Sequence, residues 1–194
     1  MGIPQPLRDS WPFPFARSKG AILEAVPVVF ICGGSRSGKS ARAIEMALAR
    51  GERPVFIATA EALDEEMTER IAHHKRERGS RFETVEAPVE VAASLRALAA
   101  EHRVIVMDCL TLWLSNVMLR EGLDLAAEST ALVDALRKYP ATVIVVSNEV
   151  GCGIVPENAL ARQFRDESGR LNARIAAVSD EVYWMVFGCA LRVK

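Results

Sequence analysis

Residues 33–40 read Gly-Gly-Ser-Arg-Ser-Gly-Lys-Ser and follow the apolar run Val28-Val29-Phe30-Ile31-Cys32. The spacing G-x-x-x-x-G-K-[ST], with a β-branched run before it and the helical pattern Ser40–Leu48 after it, commits the chain to strand, tight loop and helix in succession. Gly33 and Gly38 permit backbone conformations that turn successive N–H groups toward phosphate oxygens. Lys39 adds a point charge near the β- and γ-phosphates, and Ser40 offers a hydroxyl to Mg²⁺. The helix that starts there contributes the positive end of its dipole. A Gly/Ser turn with an accidental lysine would not need the flanking strand and helix. The pattern predicts a nucleoside triphosphate site.

Beyond this loop, apolar strand-like runs alternate with helical stretches. The candidate strands are Val28–Cys32, Pro54–Ala58, Phe82–Glu86, Val104–Asp108, Ala141–Ser147, Glu181–Phe187 and Ala190–Val193. Helical patterns cover Lys39–Arg50, Leu63–Arg78, Val89–His102, Leu110–Arg120, Ala126–Lys138 and Glu157–Ser179. Runs such as Val143-Ile144-Val145-Val146 are apolar throughout, as strands covered on both faces should be. The alternation predicts an α/β fold with a mainly parallel sheet flanked by helices. Ligands of such sheets bind beyond the carboxyl ends of the strands, where the glycine-rich loop already lies. Gly188 suggests an antiparallel hairpin at the C-terminal edge. Residues 27–194 are expected to form a single P-loop nucleotide-binding catalytic domain. Residues 1–26 are proline-rich and aperiodic, with Trp11-Pro12-Phe13-Pro14-Phe15 at their centre. They are expected to be an N-terminal extension, flexible or draped over the domain.

Composition excludes several classes. A net charge of −1 gives no electrostatic reason for nucleic acid or an anionic membrane as partner. No apolar run approaches the roughly 20 residues that span a bilayer. Cys32, Cys109, Cys152 and Cys189 stand far apart, without C-x-x-C pairs, so buried reduced thiols at strand ends are expected rather than zinc. These features fit a cytoplasmic enzyme.

Three further clusters bear chemistry. Asp108 closes the run Val104-Ile105-Val106-Met107, where a carboxylate can hold Mg²⁺ or contact a substrate. An acid there could instead cap the helix starting at Leu110. In the second cluster Leu63, Met67, Ile71 and His74 share one helical stripe, which turns His74 inward and His73 outward. Partial burial beside Lys75, Arg76 and Arg78 would favour a neutral imidazole, whose lone pair can attack phosphorus. Alternatively, His74 merely completes a core stripe. The third cluster, Ser147-Asn148-Glu149-Val150-Gly151-Cys152-Gly153, describes a shaped loop at the carboxyl edge. Asn148 and Glu149 are candidates for substrate contact, with Glu149 as a base or second metal contact, although a plain loop before a helix starting at Pro156 is the other reading. The arginines Arg162, Arg165, Arg170 and Arg174 could bind phosphate, form ion pairs or build an interface between copies.

Together these segments resemble the bifunctional adenosylcobinamide kinase/adenosylcobinamide-phosphate guanylyltransferases of cobalamin biosynthesis. The likeness rests on GGSRSGKS at 33–40, FIATAEALDEEMTERIAHHKRER at 56–78, VIVMDCLTLWLSN at 104–116 and the long block at 147–188. It implies a RecA-like P-loop fold and two reactions: phosphorylation of the adenosylcobinamide hydroxyl by ATP or GTP, then GMP transfer from GTP through a guanylylated histidine. The second His of the H-H-K segment, here His74, is the implied nucleophile, with Lys39 the other catalytic residue. Implied nucleotide contacts are Gly33, Gly34, Ser35, Arg36, Ser37, Gly38, Lys39 and Ser40, then Ala58, Thr59 and Ala60, then Lys75, Arg76, Glu77, Arg78, Glu86 and Asp108. Ser40 and Asp108 would hold Mg²⁺. Ala60 stands where the family often has Ser, so only a backbone contact is expected at that position. The resemblance also implies assembly into a homo-oligomer, in the family a trimer. Two other readings use the same loop: a small-metabolite kinase without nucleotidyl transfer, and a nucleotide-switch ATPase.

Overall fold

The computed structural model of the protein describes residues 28–194, leaving aside the side chains of Arg70 and Glu77. The expectation for residues 1–26 falls outside these described residues. Seven strands form one sheet: β1 (Val28–Gly33), β2 (Val55–Ala58), β3 (Glu83–Glu86), β4 (Ile105–Asp108), β5 (Val143–Asn148), β6 (Glu181–Val186) and β7 (Cys189–Arg192). Their order is β3-β2-β4-β5-β1-β6-β7. Every neighbouring pair is parallel except β6 with β7, the edge hairpin that Gly188 signalled.

Alternating side chains of the strands feed two cores, one on each face of the sheet. On one face Phe30, Val55, Ile57, Ile105, Met107, Val143 and Val145 meet Trp113, Leu132, Leu136, Leu171 and Ile175. Those partners come from α4 (Leu110–Leu119), α5 (Leu125–Lys138) and α6 (Ala159–Val178), which cover that side together with Val91, Leu95 and Leu98 of α3 (Val91–Leu98). On the other face Val29, Ile31, Phe56, Val106, Ile144 and Val146 meet Ala43, Met46 and Ala47 of α1 (Lys39–Leu48). Burial on both sides explains why the central strands are apolar throughout.

The remaining helix, α2 (Glu65–Arg78), is different. Its expected stripe does not enter a core: Leu63 is 82% exposed, and α2 contributes no buried hydrophobic side chain among those described. Composition explains this, because eleven of its fourteen residues are polar or charged, and Met67, Ile71 and Ala72 alone offer too little apolar area to fill a core. Asp64 caps it by accepting from the Met67 N–H at 2.7 Å, and Lys75, Arg76 and Arg78 complement the dipole at its C-terminus.

Caps also moved other boundaries. The helix expected from Glu157 begins at Ala159, because the Asn158 side-chain Oδ1 accepts from the Ala161 N–H at 3.0 Å. The helix after β4 is capped by the Cys109 thiol rather than by Asp108. Of the four cysteines expected to be buried, Cys32 and Cys109 are, whereas Cys152 and Cys189 are exposed in a loop and on the edge strand.

Gly33 ends β1 with φ +155°, and a Cβ there would stand 2.5 Å from the Met185 carbonyl oxygen on β6. The turn into the loop therefore depends on the absent side chain. Gly33→Ala should destabilise the protein by about 1–3 kcal/mol, the usual cost of overpacking. Thermal unfolding would read this as a fall in Tm of about 2–12 °C for a chain of this size.

Candidate active site

The parallel register brings five strand ends to one edge. Gly33 lies opposite Asn148, while Ala58 lies between Glu86 and Asp108. Above this edge, bounded by α1 and α2, opens a cleft of about 1310 Å³. Ser35, Arg36, Ser37, Gly38, Lys39 and Ser40 line it from the loop after β1, and Ala58, Ala60, Glu86, Asp108 and Asn148 from the other strand ends. Met67, Ile71, His74, Lys75 and Arg78 face it from α2. The predicted stripe is real, then, but it faces the cleft instead of the core. His74 lines that wall and His73 does not, with their rings 5.8 Å apart. His74 is exposed rather than partly buried, so its expected burial is corrected.

The glycine-rich loop is built for anions. Gly38 occupies the N-cap of α1 with φ +91°, in the left-handed region, and brings no capping side chain. The first N–H groups of α1 are thereby left to a ligand. The Lys39 ammonium donates to the Gly34 carbonyl oxygen and, at 3.4 Å, to the Ser37 hydroxyl. Burial pushes Lys39 below the ordinary lysine range, against the pull of the Asp108 carboxylate. Burial pushes Asp108 above the ordinary carboxylate range, opposed first by a hydrogen bond from the Ser40 hydroxyl and then by the charges of His74, Lys39 and Arg78. Ser40 and Asp108 thus present two hard oxygen donors side by side on the cleft floor, a set suited to Mg²⁺ that also binds phosphate. Among the described residues, no three His, Cys, Asp or Glu side chains gather into a cage that would hold a metal by themselves.

Other predicted residues hold the site rather than face it. Thr59 is fully buried, and its hydroxyl donates to the Cys109 carbonyl and accepts from the Cys109 N–H, both at 2.8 Å. It clamps the end of β2 to the end of β4. Gly33 and Gly34 form the base of the loop behind the cleft, and Arg76 is exposed away from it. The Glu149 carboxylate accepts from the Gly151 N–H, shaping its own loop instead of entering the cleft. Lys75 and Glu86 pair at 2.7 Å, which joins α2 to the end of β3 and holds the Glu86 carboxyl below its ordinary range. Arg78 is buried, with its guanidinium 3.8 Å from the centre of the Phe56 ring. The arginines of α6 serve local structure: Arg165 donates to the Gly151 carbonyl at 2.6 Å, Arg170 pairs with Glu167, and Arg174 donates to the Thr130 hydroxyl.

Several contributors were not singled out in the sequence. Ile44 and Leu48 of α1, with Phe56, Pro88 and Leu112, give the cleft apolar walls. Asn116 donates to the Thr59 and Pro88 carbonyls at 2.8 and 3.0 Å, tying down the turns after β2 and β3. Asn172 accepts from the Ser147 hydroxyl at 2.7 Å and donates to the Asn148 carbonyl at 3.2 Å. Their only signal was an amide on an otherwise apolar helix face, where it must find partners.

Comparison with known proteins agrees with this geometry. The family model described as cobinamide kinase / cobinamide phosphate guanyltransferase matches residues 29–193. The bifunctional adenosylcobalamin biosynthesis protein CobP of Pseudomonas aeruginosa is 42% identical over 84% of this chain and 95% of its own length. The bifunctional adenosylcobalamin biosynthesis protein CobU of Salmonella typhimurium is 38% identical over 86% of this chain and 99% of its own. Among solved structures, the assembled ATPase EscN of the enteropathogenic E. coli type III secretion system aligns with a TM-score of 0.51 at 11% identity, covering 84% of this chain and 43% of that one. That likeness concerns the RecA-like P-loop fold alone. By sequence, the chain belongs to the cobinamide kinase/cobinamide phosphate guanyltransferase family.

Proposed function

We propose that this chain phosphorylates adenosylcobinamide with ATP or GTP and then transfers GMP from GTP to adenosylcobinamide phosphate through a guanylylated His74. The observation that carries the reading is that His74, Lys39, Ser40 and Asp108 line one cleft. In the kinase step the substrate hydroxyl oxygen attacks the γ-phosphorus, and the bond to the β-phosphate oxygen breaks. Lys39 and the N–H groups of the loop neutralise charge on the transferring phosphoryl group. Ser40 and Asp108 would hold Mg²⁺, which supplies further charge neutralisation on the phosphates when bound.

In the second reaction a ring nitrogen of His74 attacks the α-phosphorus of GTP and pyrophosphate leaves. A phosphate oxygen of the cobinamide phosphate then attacks the same phosphorus, the P–N bond breaks, and adenosylcobinamide-GDP forms. Lys75 and Arg78 flank His74 on the cleft wall, where they can stabilise the charge that develops at the α-phosphate. Cytoplasmic residence and homo-oligomeric assembly belong to the same reading and rest on the family resemblance. No described helix is long and apolar enough to cross a membrane.

Paired variants test the division of labour. Lys39→Ala should slow both half-reactions by about 10²–10³-fold, the scale of losing one charge-stabilising donor. His74→Ala should slow guanylyl transfer by at least about 10³-fold and leave cobinamide phosphorylation within about threefold of wild type. Guanylyl transfer that survives in the His74 variant, measured by product chromatography, would contradict the assignment and leave a small-metabolite kinase.

The helix carrying His74 places no apolar side chain in either core; Arg78 near its C-terminal end packs on Phe56, and the Lys75–Glu86 pair beside it is exposed, of a kind worth about 0–1 kcal/mol. α2 can therefore shift at lower cost than the core-packed helices when nucleotide enters. Binding of GTP should protect the segment Glu61–Arg81 from limited proteolysis at least severalfold. Equal cleavage with and without GTP would contradict that movement.

A further inference from the structure

Asn148 lines the cleft with a tightly held backbone and an unengaged side chain. It closes β5, which lies between β1 and β4. The register sets Asn148 opposite Gly33, and Asp108 opposite Val146. Side chains two apart on a strand share a face. Val146 and Val106 both pack on the α1 side of the sheet, so Asn148 and Asp108 stand on that side too. Asn148 is one strand across and two residues further along than Asp108, which separates their Cα atoms by about 8 Å. Its carboxamide therefore shares the cleft floor with Lys39, Ser40 and Asp108.

The backbone at this strand end is held by α4, α6 and β1. The Asn148 N–H donates to the Thr111 hydroxyl at 2.8 Å, and the Asn148 carbonyl accepts from the Asn172 side-chain amide at 3.2 Å. Asn172 is fixed in turn by the Ser147 hydroxyl, which donates to its Oδ1 at 2.7 Å. The Glu149 N–H donates to the Gly33 carbonyl at 3.0 Å. The side chain so placed is left open. Glu86 pairs with Lys75 and Asp108 accepts from Ser40, whereas no group among the described residues partners the Asn148 carboxamide. A half-buried amide on an anchored backbone, with donor and acceptor both to spare, is suited to a polar ligand.

The run of the triphosphate decides which atoms it meets. α2 stands over the β2–β3 side of the edge, where Lys75 pairs with Glu86 of β3 and Arg78 covers Phe56 of β2. With the α-phosphate at His74 on that wall, the γ-phosphate falls on the β5–β1 side, beside Lys39. We propose that the Asn148 carboxamide is a catalytic group of the kinase reaction, an assignment that rests on the kinase reading above. Its Nδ2–H donates to a γ-phosphoryl oxygen, and its Oδ1 accepts from the cobinamide hydroxyl that attacks. One amide thus aligns the nucleophile with the phosphorus and stabilises the charge on the transferring group. The oxygen–phosphorus bond forms and the bond to the β-phosphate oxygen breaks, releasing the nucleoside diphosphate. The hydroxyl proton, made acidic by that bond, is released to a phosphoryl oxygen of the new monoester, and Asn148 itself takes no proton. GTP bound for guanylyl transfer keeps the γ contact, but its reacting atom is the α-phosphorus. There the contact supports binding and not turnover.

Full-length wild type, Asn148→Ala and Asn148→Asp would be compared in three measurements. These are cobinamide phosphorylation at saturating substrates, guanylylation of His74 at saturating GTP, and calorimetric affinities for ATP and ADP without cobinamide. Asn148→Ala should slow phosphorylation by about 10²–10³-fold, the scale of one lost charge-stabilising donor. It should weaken ATP binding about tenfold and leave ADP binding unchanged. Guanylylation should stay within about threefold of wild type, which guards against misfolding. Asn148→Asp keeps the shape and the backbone contacts but sets a negative charge against the γ-phosphate, so it should phosphorylate no faster than Asn148→Ala. Phosphorylation within about threefold of wild type in either variant would overturn the proposal. So would equal losses of ATP and ADP affinity, or a parallel fall in guanylylation, because each marks a role in holding the fold. A wild type that guanylylates His74 yet phosphorylates no cobinamide would overturn the kinase reading itself, and the proposal with it.

Discussion

The parallel seating of β1 between β5 and β6 is the constraint on which the rest depends. All six residues of β1 are buried, and its last, Gly33, stands opposite both Asn148 and Met185. That register fixes where the glycine-rich loop leaves the sheet. It also fixes the N-terminus of α1, and with it the direction in which the first N–H groups point. With β5 beside β1 and β4 beyond it, Asp108 arrives close enough to Ser40 for a hydrogen bond. A metal-and-phosphate site thus follows from strand order, with little left to side-chain flexibility.

Around this rigid floor the electrostatics are balanced by partial burial. Lys39 and Asp108 are each pushed toward neutrality by burial, and each is held toward its charged form by the other. The polyanionic phosphates of a nucleotide would favour charged Lys39, and a divalent cation would favour charged Asp108. Across the cleft the wall is softer. α2 offers His74, Lys75 and Arg78 on a helix that puts no apolar side chain into either core and is held at its end by Arg78 on Phe56, so floor and wall differ in rigidity. A site that serves two reactions at different phosphorus atoms benefits from that difference, because one wall can reposition while the phosphate cradle stays fixed.

Most of the architecture was legible in the residues. Each predicted strand appears, with ends shifted by one or two positions, because continuous apolar runs such as Val143–Val146 can only be central strands in a chain of this composition. A helix start moved where capping was read incompletely, at Asn158, while at Cys109 the cap differs and the helix still starts at Leu110 as expected. The larger misreading concerned the stripe Met67, Ile71 and His74. Periodicity reports which side chains share a helical face, but not whether that face meets a core or a ligand cleft. The positioning residues Asn116 and Asn172, and the clamping role of Thr59, were hidden for another reason: their partners include backbone carbonyls and N–H groups distant in sequence, which no local pattern records.

The central claim is that His74 becomes covalently guanylylated. The most direct measurement is incubation of the pure protein with Mg²⁺ and GTP labelled at the α-phosphate, followed by denaturing electrophoresis, with His73→Ala and His74→Ala run in parallel. The account predicts a label that survives denaturation, is released by acid, persists in His73→Ala and is lost in His74→Ala. A protein that binds GTP yet takes up no such label, or one that keeps it in His74→Ala, would contradict the account.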